Sequence, residues 1–339
     1  MLALLAVATI TPAYRIVDLG LPEGTASKSV EAIAINNRGE ILVKAEGGFL
    51  WRNGRFIPLG PPTYQSDRDG GSTVEPRGLN NRSVVVGSMG NPGPIFMSGL
   101  SDIRAFVWKG GRTIDLGTGL STEASHINDL GDWVGSGDHR GLIRLRGKVW
   151  SVGTLSHVPA GNFSSVSAIN NRRVFVGTST YGKLSKTVQY LPSRPFIADG
   201  NRFPFDLKPL RLPSGFSEGG GVDINEAGVI LAFAYDPVKR SATPYLTHFN
   251  RTALLKLPER WDVPSRGDLN NRSDVVCTVA RLDTQEDTKP QLWLEGRHVD
   301  FPQFPGWTIK TASGINDQGQ ICGTGIHEGK TRAYVLIPN

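Results

Sequence analysis

One pattern of apolar and polar positions returns seven times along the chain. A small residue, or His or Asp, precedes Ile or Leu; then come Asn, a short polar turn and a valine-rich run closing on a small residue. It reads AIAINNRGEILV ending at Val43, RGLNNRSVVVG ending at Gly87, SHINDLGDWVG ending at Gly135 and SAINNRRVFVG ending at Gly177. It continues as VDINEAGVILA ending at Ala232, GDLNNRSDVVC ending at Cys277 and SGINDQGQICG ending at Gly323. Short apolar runs on either side of a polar turn predict two antiparallel strands joined by a hairpin. The anchoring asparagines are Asn36, Asn80, Asn128, Asn170, Asn225, Asn270 and Asn316, separated by 44, 48, 42, 55, 45 and 46 residues.

A second pattern follows each copy of the first. It is GFLWRNGRFIPLG from Gly48, RAFVWKGGRTIDLGT from Arg104, KVWSVGTL from Lys148 and RPFIADGNRFPFDL from Arg194. It continues as PYLTHFNRTALLKL from Pro244, PQLWLEGRHVDF from Pro290 and RAYVLIPN from Arg332 to Asn339. These add a third and a fourth strand to each unit, with Asn and Gly in the turns supplying positive φ. The last unit lacks a fourth strand, and Tyr14 to Gly20 (YRIVDLG) has the matching sequence at the other end of the chain. A period near 45 residues with four strands per unit is the arithmetic of a propeller. The expected fold is all-β: a single seven-bladed β-propeller of four-stranded blades over residues 14–339, its ring closed by residues 14–20 completing the last blade.

Composition then becomes intelligible. A length of 339 residues alone suggests two domains, but 41 glycines and 22 prolines fit many tight turns repeated around one ring. Residues 1–13 read as the apolar core and small-residue cleavage site of a secretory signal, without its basic start, which predicts a secreted or cell-envelope location. The formal charge of +6 is dispersed, with no basic run interleaved with aromatics, so nucleic acid is not an expected partner. No apolar stretch is long enough to span a membrane, no cofactor or metal is implied, and a monomer is expected.

Leu79 to Gly87 and Arg104 to Gly117 carry I-N-x-x-G-x-V-V-G and A-F-x-W-x-x-G-x-x-x-D-L-G in their clearest form. The chain from Tyr14 to Asn339 resembles the HAF-repeat proteins, a group of exported bacterial repeat proteins. The resemblance implies export and a propeller-like fold, and carries no catalytic residues. Blades four and five depart from the pattern most.

Three sets of residues are candidates for function. The long loops on the face opposite the Asn turns, including residues 60–76, 88–103, 235–243 and 280–291, are where binding residues stand on a rigid scaffold. On that face are Arg68, Asp102, Arg104, the triplet Asp138, His139 and Arg140, and Trp307, His327 and Lys330. At the position before the conserved-pattern Ile or Leu, four blades have Ala or Gly, and the others have His126, Asp223 and Asp268. These three stand at one height around the axis. There they serve acid–base chemistry or hold a metal, or they satisfy neighbouring backbone groups or an Arg. Cys277 and Cys322, on second strands of adjacent blades one step out of register, point either toward each other as a candidate disulfide or both away.

The sequence therefore reads as an exported binding module whose ligand is a glycan, a cell-surface component or a protein held on the long-loop face. The alternatives are a secreted glycan hydrolase or lyase using His126, Asp223 and Asp268, and a purely structural envelope protein. Fold alone does not choose among them.

Overall fold

The computed structural model describes residues 13–24, 29–60, 73–91, 102–116, 121–156, 163–182, 192–249, 251–258, 263–281 and 287–339. Among these there is no helix, and so none long and apolar enough to cross a membrane. The strands form seven four-stranded antiparallel sheets, the number of blades the repeats predict. In blade three the third strand is Arg140–Leu145, and the segment from Lys148 supplies only the fourth.

After β1 (Tyr14–Asp18), blade one takes β2 (Glu31–Ile35), β3 (Ile41–Lys44), β4 (Gly48–Arg52) and β5 (Arg55–Pro58). Blade two takes β6 (Thr73–Leu79), β7 (Val85–Asn91), β8 (Asp102–Lys109) and β9 (Arg112–Asp115). Blade three takes β10 (Thr122–Ile127), β11 (Trp133–Gly137), β12 (Arg140–Leu145) and β13 (Lys148–Ser151). Blade four takes β14 (Ser164–Ile169), β15 (Val174–Thr180), β16 (Ser193–Asp199) and β17 (Lys208–Pro209). Blade five takes β18 (Glu218–Ile224), β19 (Ile230–Asp236), β20 (Ser241–His248) and β21 (Arg251–Leu254). Blade six takes β22 (Val263–Leu269), β23 (Val275–Ala280), β24 (Thr288–Leu294) and β25 (Arg297–Val299). Blade seven takes β26 (Trp307–Ile315), β27 (Ile321–His327) and β28 (Lys330–Pro338), and β1 pairs with β28 from Tyr14↔Pro338 to Asp18↔Tyr334. The N-terminal strand thus closes the ring, as the matching sequences predict.

A sheet four strands wide cannot bury both of its faces alone, so each blade packs on the next. Seven apolar clusters result, one at each blade-to-blade interface. The cluster between blades seven and one joins Leu19, Val30 and Ile41 to Cys322, Ala333 and Val335.

Two repeated devices shape the strands. Every first strand carries a register shift shortly before its Ile or Leu, as between Ala124 and His126 or Val166 and Ala168, and further back in blade six, between Pro264 and Arg266. At the bulge a backbone carbonyl leans over the second strand. A Cβ on Gly87, Gly135, Gly177 or Gly323 would overlap the carbonyl oxygen of Glu75, Glu123, Ser165 or Thr311; hence the glycine closing the valine-rich run in four blades. In the Asn turns the positive φ falls three residues after the anchor, on Gly39, Ser83, Gly131, Arg173, Gly228, Ser273 and Gly319. The anchors themselves do not adopt it, so the glycine of these turns has the role expected of it and the asparagine has another.

Blade four differs from expectation at its outer edge. The segment expected to be its fourth strand, ending at Leu207, pairs nowhere, and β17 is only two residues long. Pro204 has no N–H for a ladder, and Phe203 and Phe205 instead make aromatic contacts.

Candidate functional site

The first strands surround an axial channel, and the Asn turns gather at one end of it. Each anchor does two things. Its side-chain oxygen accepts the N–H four residues on and, in every anchor but Asn225, the N–H two residues on, as Asn36 Oδ1 does from Arg38 and Glu40, both at 3.0 Å. Its side-chain amide donates to the backbone carbonyl of the next anchor. The bonds run Asn36 to Asn80 (3.0 Å), Asn80 to Asn128 (2.9 Å), Asn128 to Asn170 (3.0 Å) and Asn170 to Asn225 (3.1 Å). They return through Asn225 to Asn270 (3.1 Å), Asn270 to Asn316 (3.1 Å) and Asn316 to Asn36 (3.0 Å). Seven asparagines, all nearly buried, form a closed unidirectional ring. The in-turn half of this role follows from Asn chemistry.

A second ring lies just outside it, on residues 37, 81, 129, 171, 226, 271 and 317. Each backbone N–H donates to the side-chain oxygen of the next member, from Asn37 to Asn81 at 2.8 Å round to Asp317 to Asn37 at 2.9 Å. Side-chain amides flank two of the carboxylates. Asp129 Oδ2 accepts from Asn81 and Asn171, and Asp317 Oδ2 from Asn37 and Asn271.

Below these rings stand His126, Asp223 and Asp268, at one height, as their alignment predicts. Asp223 Oδ2 accepts the N–H of Leu269 at 3.0 Å, and its Oδ1 that of Ile224 at 2.7 Å. Asp268 Oδ2 accepts the N–H of Ile315 at 2.7 Å, and His126 Nδ1 that of Ile169 at 3.3 Å. Each side chain thus reaches the Ile or Leu of the following blade, and the neutral imidazole carries its proton on Nε2. The buried Asp223 and Asp268 carboxyls each affect the other's ionisation. Burial first, and then the neighbouring carboxylate, raises Asp268 well above the ordinary carboxylate range; burial raises Asp223 too. Burial lowers His126, against the pull of Asp268, Asp129 and Glu226. Among the described residues no group of three His, Cys, Asp or Glu is arranged to hold a metal ion.

This waist separates two chambers. The one under the Asn turns, about 290 Å³, is lined by both rings. The one toward the loop face, about 400 Å³, is lined by Glu31, Lys44, Glu75, Arg77 and Arg266, with Ser125, Ser167 and Ser313 deeper. Lys44 Nζ meets both carboxylate oxygens of Glu75 at 2.7 and 2.6 Å, and Arg77 meets Glu123 at 2.9 Å. None of these charged residues was singled out by sequence, although Glu31 and Glu75 both stand five residues before their anchors.

Among the described residues, Arg104, Asp138, His139, Arg140, Trp307, His327 and Lys330 line neither chamber. Arg68 lies outside the described residues. Asp102 opens β8, and Arg104 on the same strand pairs with Asp115 of β9 at 3.4 Å. Asp138 and His139 form a tight two-residue turn with φ of 48° and 62°, and Arg140 opens β12. The triplet is therefore hairpin chemistry and does not line the channel. Trp307 and His327 do come together, their rings stacked 4.5 Å apart, and His327 Nδ1 lies 3.2 Å from Asp18 Oδ2 of β1. Lys330, opposite His327 in the ladder, is exposed. Cys277 and Cys322 are free, buried thiols and form no disulfide. Cys277 packs among blades five and six and Cys322 against blade one, so the two point away from each other.

The sequence matches no protein family and no curated protein. The crystal structure of Porphyromonas gingivalis dipeptidyl peptidase 4 aligns with a TM-score of 0.54 at 8% identity over 92% of this chain and 52% of that one. This chain thus spans about half of that peptidase. The β-propeller domain of the Trilobed protease from Pyrococcus furiosus aligns with a TM-score of 0.52 at 11% identity, over 92% of this chain and 94% of that one. That domain is described as having an open velcro topology, whereas here β1 pairs with β28 and shuts the ring. At these identities the likeness is one of fold alone: the chain is a seven-bladed β-propeller, similar in architecture to propellers found in peptidases.

Proposed function

We propose that the protein is an exported binding module that takes its ligand, a glycan or a protein segment, at the loop-face mouth of the axial channel. One observation carries this reading. His126, Asp223 and Asp268 each accept a backbone N–H from the following blade, which makes them fasteners between blades rather than free acids and bases. The chamber beside them presents donors and acceptors of both signs on rigid strands, an arrangement suited to recognition. The resemblance to HAF-repeat proteins supports export and brings no catalytic residue.

The test is a glycan and peptide array probed with residues 14–339, with and without divalent metal, then repeated with Glu31→Lys and Arg266→Glu. The reading expects a ligand whose binding either variant weakens at least tenfold without a change in melting temperature. A ligand held equally well by both variants would remove it. The hydrolase or lyase reading has the buried carboxyls Asp223 and Asp268 in its favour, both raised above the ordinary carboxylate range. Glycan turnover lost in Asp223→Asn and Asp268→Asn would put that reading first.

A further inference from the structure

Blade four breaks the repeat, and the break builds a surface. The step from Asn170 to Asn225 is the longest between anchors, 55 residues. The residues between β16 and β17 carry Phe203 outward, 65% exposed. Its ring is nonetheless held on two sides, 4.5 Å from Trp150 of blade three and 5.4 Å from Phe205. Phe205 in turn meets Phe175 of the core edge-on at 5.4 Å. Leaving so much aromatic surface in water forgoes the free energy of burying it. Here the exposed ring is also buttressed into a fixed platform.

Cations surround this platform. Arg202 precedes Phe203, Lys148 lies two residues from Trp150, Arg146 forms the tip of the β12–β13 hairpin, and Arg172 lies in the adjoining Asn turn; all four are exposed. The neighbourhood is tied together by Asn201, whose amide donates to the Arg172 carbonyl at 2.9 Å. Asp132 adds a second tie, accepting the Arg146 N–H at 2.8 Å and Arg173 Nε at 2.7 Å. The carboxylates present, Asp132, Asp199 and Asp206, already face Arg173, Arg202 and Lys208. Six cations (Arg146, Lys148, Arg172, Arg173, Arg202, Lys208) against three carboxylates leave +3, half of the formal +6 of the whole chain.

We propose that this patch binds an acidic polysaccharide, with a sugar face stacked on the Phe203–Trp150 platform and uronate carboxylates meeting the surrounding cations. A polymer with one carboxylate on each flat, C–H-rich ring matches one exposed aromatic with cations spaced around it. Guanidinium groups suit carboxylates in particular because they can bind both oxygens. A membrane surface calls for a broad apolar face, and a nucleic acid for a continuous cationic track with stacking side chains along it. The proposal stands apart from the axial chamber and does not rest on it.

The test is affinity gel electrophoresis of the whole chain in about 150 mM salt, an ionic strength that screens bare charge attraction. The probes are polygalacturonate, its methyl-esterified form and duplex DNA. Polygalacturonate is expected to retard the protein, with the esterified polymer and DNA at least tenfold weaker. Phe203→Ala, and separately Lys148→Glu with Arg202→Glu, are expected to weaken binding at least tenfold at unchanged melting temperature. Arg297→Glu, an exposed charge on the outer strand of blade six, should bind as the parent does. No retardation by polygalacturonate would overturn the proposal. So would equal retardation by DNA that Phe203→Ala leaves intact, because bare charge would then account for it.

Discussion

The side-chain amide of Asn316 donates to the backbone carbonyl of Asn36 at 3.0 Å across 280 residues of sequence. This bond completes the inner asparagine ring, just as β1 completes the last blade. Asn316 also accepts from the N–H groups of Gln318 and Gln320 at 3.1 and 2.9 Å. Asn316→Ala therefore strands buried donors and an acceptor together, and is expected to cost about 3 kcal/mol. Asn316→Asp keeps the acceptor but sets a carboxylate against the Asn36 carbonyl, so its loss should be greater at pH 7 than at pH 4. Urea titration at both pH values checks this. A variant within 0.5 kcal/mol of the parent by rough order would mean that the ring bond contributes little.

The ring shows which parts of this molecule are legible in the sequence. Strand order, blade count and closure follow from the seven spaced asparagines, because each unit carries its own hairpin signals. That Asn oxygen caps its turn follows from local chemistry. That its amide reaches the next blade does not, since the distance is set only when all seven units meet around one axis. The same holds for His126, Asp223 and Asp268. Alignment places them at one height, but only the assembled ring brings each to its neighbour's N–H and brings the two carboxyls together. The lining of the loop-face chamber was not legible because it stands on the first strands, at Glu31, Glu75 and Arg266; Glu75 falls in the stretch 60–76 expected to be a loop but belongs to β6. The loop stretches 61–72, 92–101 and 282–286, with Arg68 among them, lie outside the described residues.

The raised Asp268 carboxyl, buried near Asp223, makes stability depend on pH. Burial and mutual repulsion push Asp268 up to about 8 in the folded protein, against 3.8 for a free side chain. Between those values the folded state holds a proton that the unfolded chain releases. The contribution of the pair is therefore full below about pH 4, and is lost as pH rises through about 8. Asp268→Asn keeps an oxygen for the Ile315 N–H and offers an amide to Asp223, without the second charge. Its melting temperature should exceed that of the parent at pH 8.5 and converge with it at about pH 4. Parallel curves for the two proteins across that range would contradict the raised Asp268 carboxyl.

Cys277 and Cys322 are both fully buried, and burial raises both thiols well above their ordinary range. A thiol reacts as its thiolate, so a thiol-specific reagent should label neither in the native protein and both after unfolding. Unreduced peptides should show no mass loss of a disulfide. Rapid native labelling of either cysteine would contradict the packing described for the blade interfaces.

Removal of residues 1–20 tests the ring closure itself. It would strip β1 from β28, expose the backbone of residues 334–338 as an unpaired edge, and uncover the cluster that buries Leu19 and Val17 against Val335. Asp18 would also leave His327, which it meets at 3.2 Å, and Arg332, at 3.9 Å. Those pairs are partly exposed and contribute modestly. The larger loss is the apolar contact and the sheet edge, because an open strand invites pairing with another chain. The truncated protein is expected to melt at least about 10 °C lower, a shift on the scale of several kcal/mol, and to elute as dimers or larger species in size exclusion. Adding a peptide of residues 13–20 should restore the parent's elution by re-forming the strand. A truncated chain that stays monomeric and as stable as the parent would show that three strands suffice for the last blade and that β1 is not what holds the ring shut.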